Sequence, residues 1–262
     1  MRDAEAGESE DLLLGGRVRL RQPLAGYRAA IDPVLLAAAV DARPGSLVLD
    51  AGLGAGAAAL CLLARRPDLL LIGIELDDQL CALARANAAA NGVADRLQVR
   101  RGSLDAVAKA MAAAGETVDA VVSNPPYLSA EQADPSPEPG RQRANVEGLA
   151  LADWIAACVR PLRSKGALTL VHRADRLDET IVALRSARCG EIAVLPLWPR
   201  EGAEARRVLI RARKGVAGPA RLLPGLVLHQ ADGSFTTAAD AILRDAAAIG
   251  WKGSTLPPDS PT

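Results

Sequence analysis

The chain reads as an α/β protein: a seven-stranded, mostly parallel sheet with helices on both faces and an antiparallel hairpin at one edge. Three observations carry that expectation. From Leu47 onward, apolar runs of strand length alternate with segments of helical period, the pattern of strands joined by crossover helices. Half of the 262 residues are apolar and only 2% are aromatic, which allows a sizeable core made of Ala, Leu and Val. The last two strand-length runs, 191–195 and 207–212, have no helix-length segment between them, so they are expected to pair antiparallel at a sheet edge.

Taken in order, residues 46–50 are the expected first strand, 55–64 a helix and 69–75 the second strand. A helix over 77–91 follows, because Leu80, Leu83 and Ala84 share one face and Asn91-Gly92 is a C-terminal stop. Residues 97–100 make a third strand, 105–114 a helix and 118–123 a fourth strand. That fourth strand is placed by its end. In Asn124-Pro125-Pro126-Tyr127 two prolines hold φ near about −65° and cannot donate to a ladder, so pairing stops and a rigid loop begins. The polar stretch 129–147, rich in Pro, Glu and Arg, is too long for a plain connector and is expected to act as a lid or substrate loop. A helix over 151–162, a strand over 167–172 and a helix over 175–187 lead to the final pair. The expected division is an N-terminal segment 1–46 that covers substrate or cofactor, a main domain 47–215, and a C-terminal extension 216–262. The end of that extension, 256–262, is rich in Pro and Ser and is expected to fray.

Composition excludes several classes of function. Lys plus Arg equals Asp plus Glu at 31 each, so a wholly basic nucleic-acid coat is absent and any such surface must come from local clustering. Cys61, Cys81, Cys158 and Cys189 stand far apart in apolar, mostly helical patterns. They read as reduced core thiols rather than a zinc or redox motif. The first eleven residues are acidic and polar, unlike a signal peptide, and no apolar run reaches the roughly 18 residues of a membrane helix. The expectation is a soluble, cytoplasmic protein.

Two loops carry chemistry. The first strand ends in Asp50-Ala51-Gly52-Leu53-Gly54-Ala55-Gly56, where glycines let backbone approach a ligand and let the next helix start without a Cβ clash. Gly52, Gly54 and Ala57 also satisfy a dinucleotide fingerprint, and Glu75 ends the second strand where that fingerprint expects its ribose acid. Asp50 discriminates between ligands. An acid before the first glycine suits a positive ammonium or sulfonium group and would repel a pyrophosphate. In the second loop, the Asn124 side-chain oxygen and the Pro125 carbonyl are two acceptors, and Tyr127 offers a flat face for stacking. Such a clamp suits an amide or ring amine that carries two N–H bonds.

Together these pieces resemble the class I S-adenosylmethionine methyltransferases, and the Asn-Pro-Pro-Tyr form narrows the resemblance to enzymes that methylate an amide or exocyclic nitrogen. Segments 15–23, 26–36, 144–148 and 170–177 are similar to bacterial valine-tRNA adenine-N6 methyltransferases, and the likeness spans roughly 14–247. The resemblance implies a Rossmann-like sheet, S-adenosylmethionine as cofactor, an RNA substrate that is foremost tRNA, and no metal or membrane. It implies that Asp50, Gly52, Gly54 and Gly56 surround the methionine part of the cofactor and that Glu75 binds its ribose. Asn124, Pro125, Pro126 and Tyr127 match the catalytic loop, and Ser103 and Leu104 fall near the cofactor adenine. One position departs from the pattern: relatives often carry Gly-Asp where this chain has Gly102-Ser103, and a neutral acceptor is weaker than a charged one.

RNA needs cations. Arg17, Arg19, Arg21 and Arg28 form one candidate cluster, and Arg200, Arg206, Arg207, Arg211, Arg213 and Lys214 another, with Arg141 and Arg143 on the long loop as substrate-binding candidates. His172 and His229 read as core or strand-end residues, since no nucleophile or metal partner lies at a useful spacing. The runner-up substrate is a glutamine side chain of a protein, as in release-factor modification, because a primary amide also presents two N–H bonds. Against it, residues 1–46 leave no room for the separate helical domain of those enzymes. A nicotinamide-dependent oxidoreductase would leave Asp50 and the double proline unexplained. A non-catalytic RNA-binding relative would not need Asp50, Glu75 and Asn124 together.

Overall fold

The computed structural model describes residues 7–24, 29–125 and 149–251. Arg28, Pro126, Tyr127, Arg141, Arg143, the stretch 129–147 and the tail 256–262 lie outside the described residues. Two strands, β1 (Glu8–Leu13) and β2 (Val18–Pro23), pair as an antiparallel hairpin, and α1 (Asp32–Ala38) follows. None of these three elements was expected from the sequence. The alternation of Val18, Leu20 and Gln22, all buried, with exposed Arg19 and Arg21 is a half-buried strand pattern.

The main sheet is built from β3 (Leu47–Ala51), β4 (Leu70–Glu75), β5 (Leu97–Arg101), β6 (Val118–Ser123) and β7 (Leu162–Arg173), all parallel. The late strands β8 (Cys189–Trp198) and β9 (Arg207–Lys214) form the expected antiparallel hairpin, with β9 inserted next to β7. The order β5-β4-β3-β6-β7-β9-β8 gives the seven expected strands, and two short strands, β10 (Arg221–Leu222) and β11 (Leu226–Val227), extend the edge along β8.

Helices α2 (Ala57–Arg65) and α3 (Asp78–Ala90) join α1 on one face, and α4 (Leu104–Ala113), α5 (Leu151–Val159) and α6 (Leu177–Ser186) cover the other. Each face closes its own core. Leu35, Leu60 and Leu63 with Val48 and Leu71 fill one; Leu104, Ile155, Leu168 and Ile210 fill the other. The crossover segments end on local signals. Asp77 caps α3 by accepting from the N–H groups of Gln79 and Leu80, and Ser103 caps α4 by accepting from Ala106. The predicted helix over 151–162 stops at Val159, and β7 begins earlier than its apolar run, with the exposed residues Arg163, Ser164 and Lys165 inside it.

The segment after β9 is bound into the first face. Helix α7 (Thr237–Arg244) packs on it through Ala239, Ile242 and Leu243, the Trp251 indole donates to the Ala39 carbonyl at 2.7 Å, and Arg65 donates to the Ala247 carbonyl at 2.9 Å. All four cysteines are free and buried, and burial pushes the Cys61 thiol up to about 12 and that of Cys189 to about 11. Among the described residues no helix is long and apolar enough to cross a membrane.

Candidate active site

The order of the strands determines where a site can form. Strand β3 connects outward to β4 and β5 on one side, while β6 and β7 lie on its other side. The crevice between β3 and β6 is therefore a topological switch point, where loops at the carboxyl ends of strands diverge and leave an opening. Both chemistry-bearing loops emerge there. Register places them side by side: Ala51 faces Ser123 on β6 and Ile74 on β4. The next residues, Gly52, Asn124 and Glu75, thus stand at one level on three adjacent strand ends. At about 4.8 Å per strand, Glu75 and Asn124 flank the glycine loop roughly 10 Å apart.

The glycine loop has the backbone that its sequence demands. Gly52, Gly54 and Gly56 have φ of 84°, 57° and 94°, a region that residues with a Cβ rarely adopt. A Cβ on Gly54 would meet nothing within 4 Å, so the outer side of the loop is open. At Gly52 it would come within 3.1 Å of the Trp154 ring, so that glycine is needed for packing as well. The Glu75 carboxylate holds the loop: Oε2 accepts from Gly54 N at 2.8 Å, and Oε1 accepts from Leu76 N and Asp77 N at 2.8 and 2.9 Å. Each carboxylate oxygen has two acceptor positions, and with Oε1 taken twice and Oε2 once, one position on Oε2 stays available to a ligand hydroxyl.

Asp50 lies beneath that loop, 2% exposed. Its carboxyl accepts from the Ala59 N–H, yet Oδ2 is buried with no hydrogen-bond partner among the described residues. Desolvation, opposed by the Ala59 bond and reinforced by nearby Glu75, pushes its pKa up to about 7. A helix cap alone would account for one oxygen only. An unsatisfied buried acid under an open glycine loop fits a ligand with a cationic group, and it disfavours a pyrophosphate.

At the end of β6, Asn124 is half-buried and Pro125 buried, while the rest of the loop lies outside the described residues. Two residues that sequence reasoning missed brace this end. Ser123 Oγ donates to the Ala51 carbonyl at 2.7 Å and accepts from Trp154 Nε1 at 3.0 Å. Helix α5 is thereby tied through one indole to both strand ends. An aromatic in an otherwise Ala-rich helix was the available signal, but its partner could not be known without the register.

The expected adenine position is farther out. Ser103 follows β5, whose Arg101 faces Glu75, and its hydroxyl caps α4 by accepting from Ala106 N at 3.4 Å. The Leu104 side chain is buried in the core, so only its main chain can face a ligand. Asp105 does not replace the missing acid: it pairs with Arg160 at 2.9 Å and Lys109 at 2.6 Å.

Among the described residues, several members of the two candidate basic clusters are engaged by their own chain. Arg17 donates to the Leu14 and Arg244 carbonyls and Arg21 pairs with Glu8 at 2.6 Å. Along β9, Arg207 stands at the carboxyl edge of the parallel strands, opposite Arg173, whereas Arg213 and Lys214 lie at the far end. There Arg213 pairs with Glu191 at 2.8 Å, and Lys214 donates to the Arg160 and Leu162 carbonyls. His172 is fully buried, accepts from Arg173 N at 2.7 Å through Nδ1, and is pushed down to about 4 by burial. His229 stacks on Phe235. No cluster of metal-ligating side chains occurs among the described residues.

With this geometry in hand, comparison with known proteins is specific. Residues 30–187 match the methyltransferase small domain. The tRNA1(Val) (adenine(37)-N6)-methyltransferase of Aeromonas hydrophila is 31% identical over 211 residues, covering 80% of this chain and 85% of that protein. The release factor glutamine methyltransferase of Cereibacter sphaeroides is 39% identical over 123 residues, but this covers only 47% of the chain and 41% of that protein. Among solved structures, one described as a predicted O-methyltransferase from Agrobacterium tumefaciens superposes with a TM-score of 0.69 at 27% identity, covering 84% of this chain and 98% of that one.

Proposed function

Since the chain belongs to the methyltransferase small domain family, we propose that it transfers the methyl group of S-adenosylmethionine to the exocyclic N6 of an adenine in tRNA. The observation that carries this reading is the alignment of Asp50, Glu75 and Asn124 around one open glycine loop at the switch point. The adenine-N6 methyltransferase of Aeromonas hydrophila, similar over most of both chains, supports the choice of substrate.

S-adenosylmethionine, when bound, supplies an electrophilic methyl group on a sulfonium that leaves as a neutral thioether. Asp50 would face the positive amino end through its unsatisfied oxygen, and Gly52, Gly54 and Gly56 would let the backbone close around it. Glu75 would accept from a ribose hydroxyl through the remaining position on Oε2. We assign the cofactor adenine to the Ser103-Leu104 main chain, because the Ser103 hydroxyl already caps α4.

The target amine is a poor nucleophile, since its lone pair is delocalised into the purine ring. Asn124 Oδ1 and the Pro125 carbonyl would each accept one N–H, biasing the nitrogen toward tetrahedral geometry and aiming its lone pair. Most of the gain is orientation and preorganised polarity. No dedicated base is needed, because the proton becomes strongly acidic once the nitrogen is alkylated. Pro126 would keep the loop rigid and Tyr127 would stack on the base, which must leave the RNA stack to enter. Arg141 and Arg143 would contact the RNA backbone. Such an enzyme works where tRNA is, in the cytoplasm.

One finding favours a second substrate, the partial likeness to a release factor glutamine methyltransferase. The experiment that separates them incubates the protein with labelled cofactor and, separately, unmodified tRNA, ribosomal RNA and release factor. Label in tRNA that digests to N6-methyladenosine is the expected outcome. Label in a release-factor glutamine overturns the substrate, and label in none of the three overturns the activity.

A further inference from the structure

Beside the site, a cavity of about 640 Å³ is lined by Arg173, Asp175, Pro199, Glu204, Arg206 and Arg207. Its position follows from the register. Strand β7 is parallel to β6 and pairs Leu170 with Ser123, so Arg173 stands two residues beyond the level of Asn124 on the adjacent strand. With a rise of about 3.3 Å per residue and a strand spacing of about 4.8 Å, the two backbones are roughly 8 Å apart. Arg207 faces Arg173 across the β7–β9 ladder, and Arg206 precedes it. Arg173 and Arg207 on neighbouring strands, with Arg206 just before β9, therefore line one cavity at the carboxyl edge that carries the Asn124 end of β6.

The arginines are oriented by their own chain. Arg173 uses Nε and Nη2 on Asp175, and Arg207 uses Nε on Asp32 and Nη1 on the Arg206 carbonyl. A guanidinium has five N–H donors in a planar fork, so Arg173 keeps donors beyond these two. Arg206 is exposed at the rim. The lining carries three cations against Asp175 and Glu204, with Asp32 paired to Arg207 beside them, and Pro199, Ala203 and Ala205 add no bulk to obstruct a sugar–phosphate strand. Oriented arginine forks beside a catalytic edge match the geometry of phosphate oxygens.

We infer that this cavity is a phosphate subsite that grips the RNA backbone flanking the target nucleotide, holding the strand while the base is turned into the Asn124 loop. The inference rests on the tRNA-methylation reading. Such a contact adds affinity without acting on the methyl transfer itself.

The test compares wild type, Arg206→Glu, Arg173→Gln and, as a control at the opposite end of β9, Arg213→Gln. For each, KM and kcat for a pool of unmodified tRNA transcripts are measured over a range of salt, with S-adenosylhomocysteine affinity measured separately. Arg206→Glu should raise KM about tenfold and make its salt dependence shallower by about one logarithmic slope unit, the signature of a lost phosphate contact. Arg173→Gln should act in the same direction, while kcat, cofactor affinity and the Arg213→Gln variant stay at wild-type values. Wild-type KM and slope in both edge variants would overturn the subsite while leaving the function intact. An equal effect from Arg213→Gln would overturn it too, because the loss would then be one of general charge. A wild type that methylates no tRNA would overturn the parent reading, and the subsite with it.

Discussion

Asp50 is costly to the fold, and under the proposed function it is the residue that meets the cofactor's positive end. Its carboxyl is fully buried and its pKa stands near 7 rather than 3.8, a burden on the order of 4 kcal/mol at neutral pH. Because the folded pKa is the higher one, its contribution to stability is fully present below the unfolded value and is lost as pH rises through about 7. His172, pushed down to about 4, works the other way: its contribution is present above the ordinary histidine value and is lost as pH falls through 4. A cationic ligand favours the Asp50 carboxylate, so binding S-adenosylhomocysteine below about pH 7 should release a proton and tighten as pH rises to that value. Calorimetry in buffers of different ionisation enthalpy reads the proton directly. Asp50→Asn should abolish the release, and a wild-type affinity flat across that range would mean the carboxyl is only a helix cap. At this scale the site was legible where chemistry and position coincide, as in Asp50, Glu75 and Asn124. It was not legible at Ser103, whose role as an N-cap depends on where α4 begins, nor at Asp105, which is held by Arg160 from a helix far along the chain.

Among the elements, the hairpin of β1 and β2 is docked by an unusual device. Asn87 on α3 and Asn91, which caps its C-terminus, are one turn apart and each offers its side-chain amide to the outer edge of β2. Asn87 accepts from Arg21 N at 3.0 Å and donates to Arg21 O at 2.8 Å, and Asn91 does the same for Arg19 at 2.9 and 2.7 Å. The two amides imitate a neighbouring strand and satisfy an edge that would otherwise be unpaired. Asn87, fully buried, also donates to the Ala55 carbonyl in the glycine loop. Asn87→Ala leaves several main-chain groups without partners, and should destabilise the protein by about 2 to 4 kcal/mol. Urea unfolding checks the size, and hydrogen exchange should show β2 amides losing protection first. Unchanged stability would mean the hairpin is held by Val18 and Leu20 alone. The elements from β3 to β9 could be read from periodicity because each buries a face against the sheet. The hairpin could not, because its arginines suggested a nucleic-acid patch while its alternation, Val18 to Gln22, was the informative part. The late basic run divides for the same reason: laid along β9, Arg207 stands at one end of the strand and Arg213 at the other.

At the scale of the whole molecule, the proposed function follows from strand order. With β3 next to β6, the glycine loop and Asn124 leave the sheet side by side, and α5 locks the two strand ends together through Trp154 and Ser123. The fold could be anticipated from alternating strands and helices; the adjacency of the two loops could not, since it is a property of long-range pairing. The measurement that tests the account most directly is single-turnover methylation of unmodified tRNA by wild type and Asn124→Ala, with S-adenosylhomocysteine affinity measured alongside. Removing one of two preorganised acceptors should slow formation of N6-methyladenosine at least about a hundredfold, with cofactor affinity unchanged. Near-normal methylation by Asn124→Ala would contradict the amine clamp and leave the end of β6 as no more than a strand terminator.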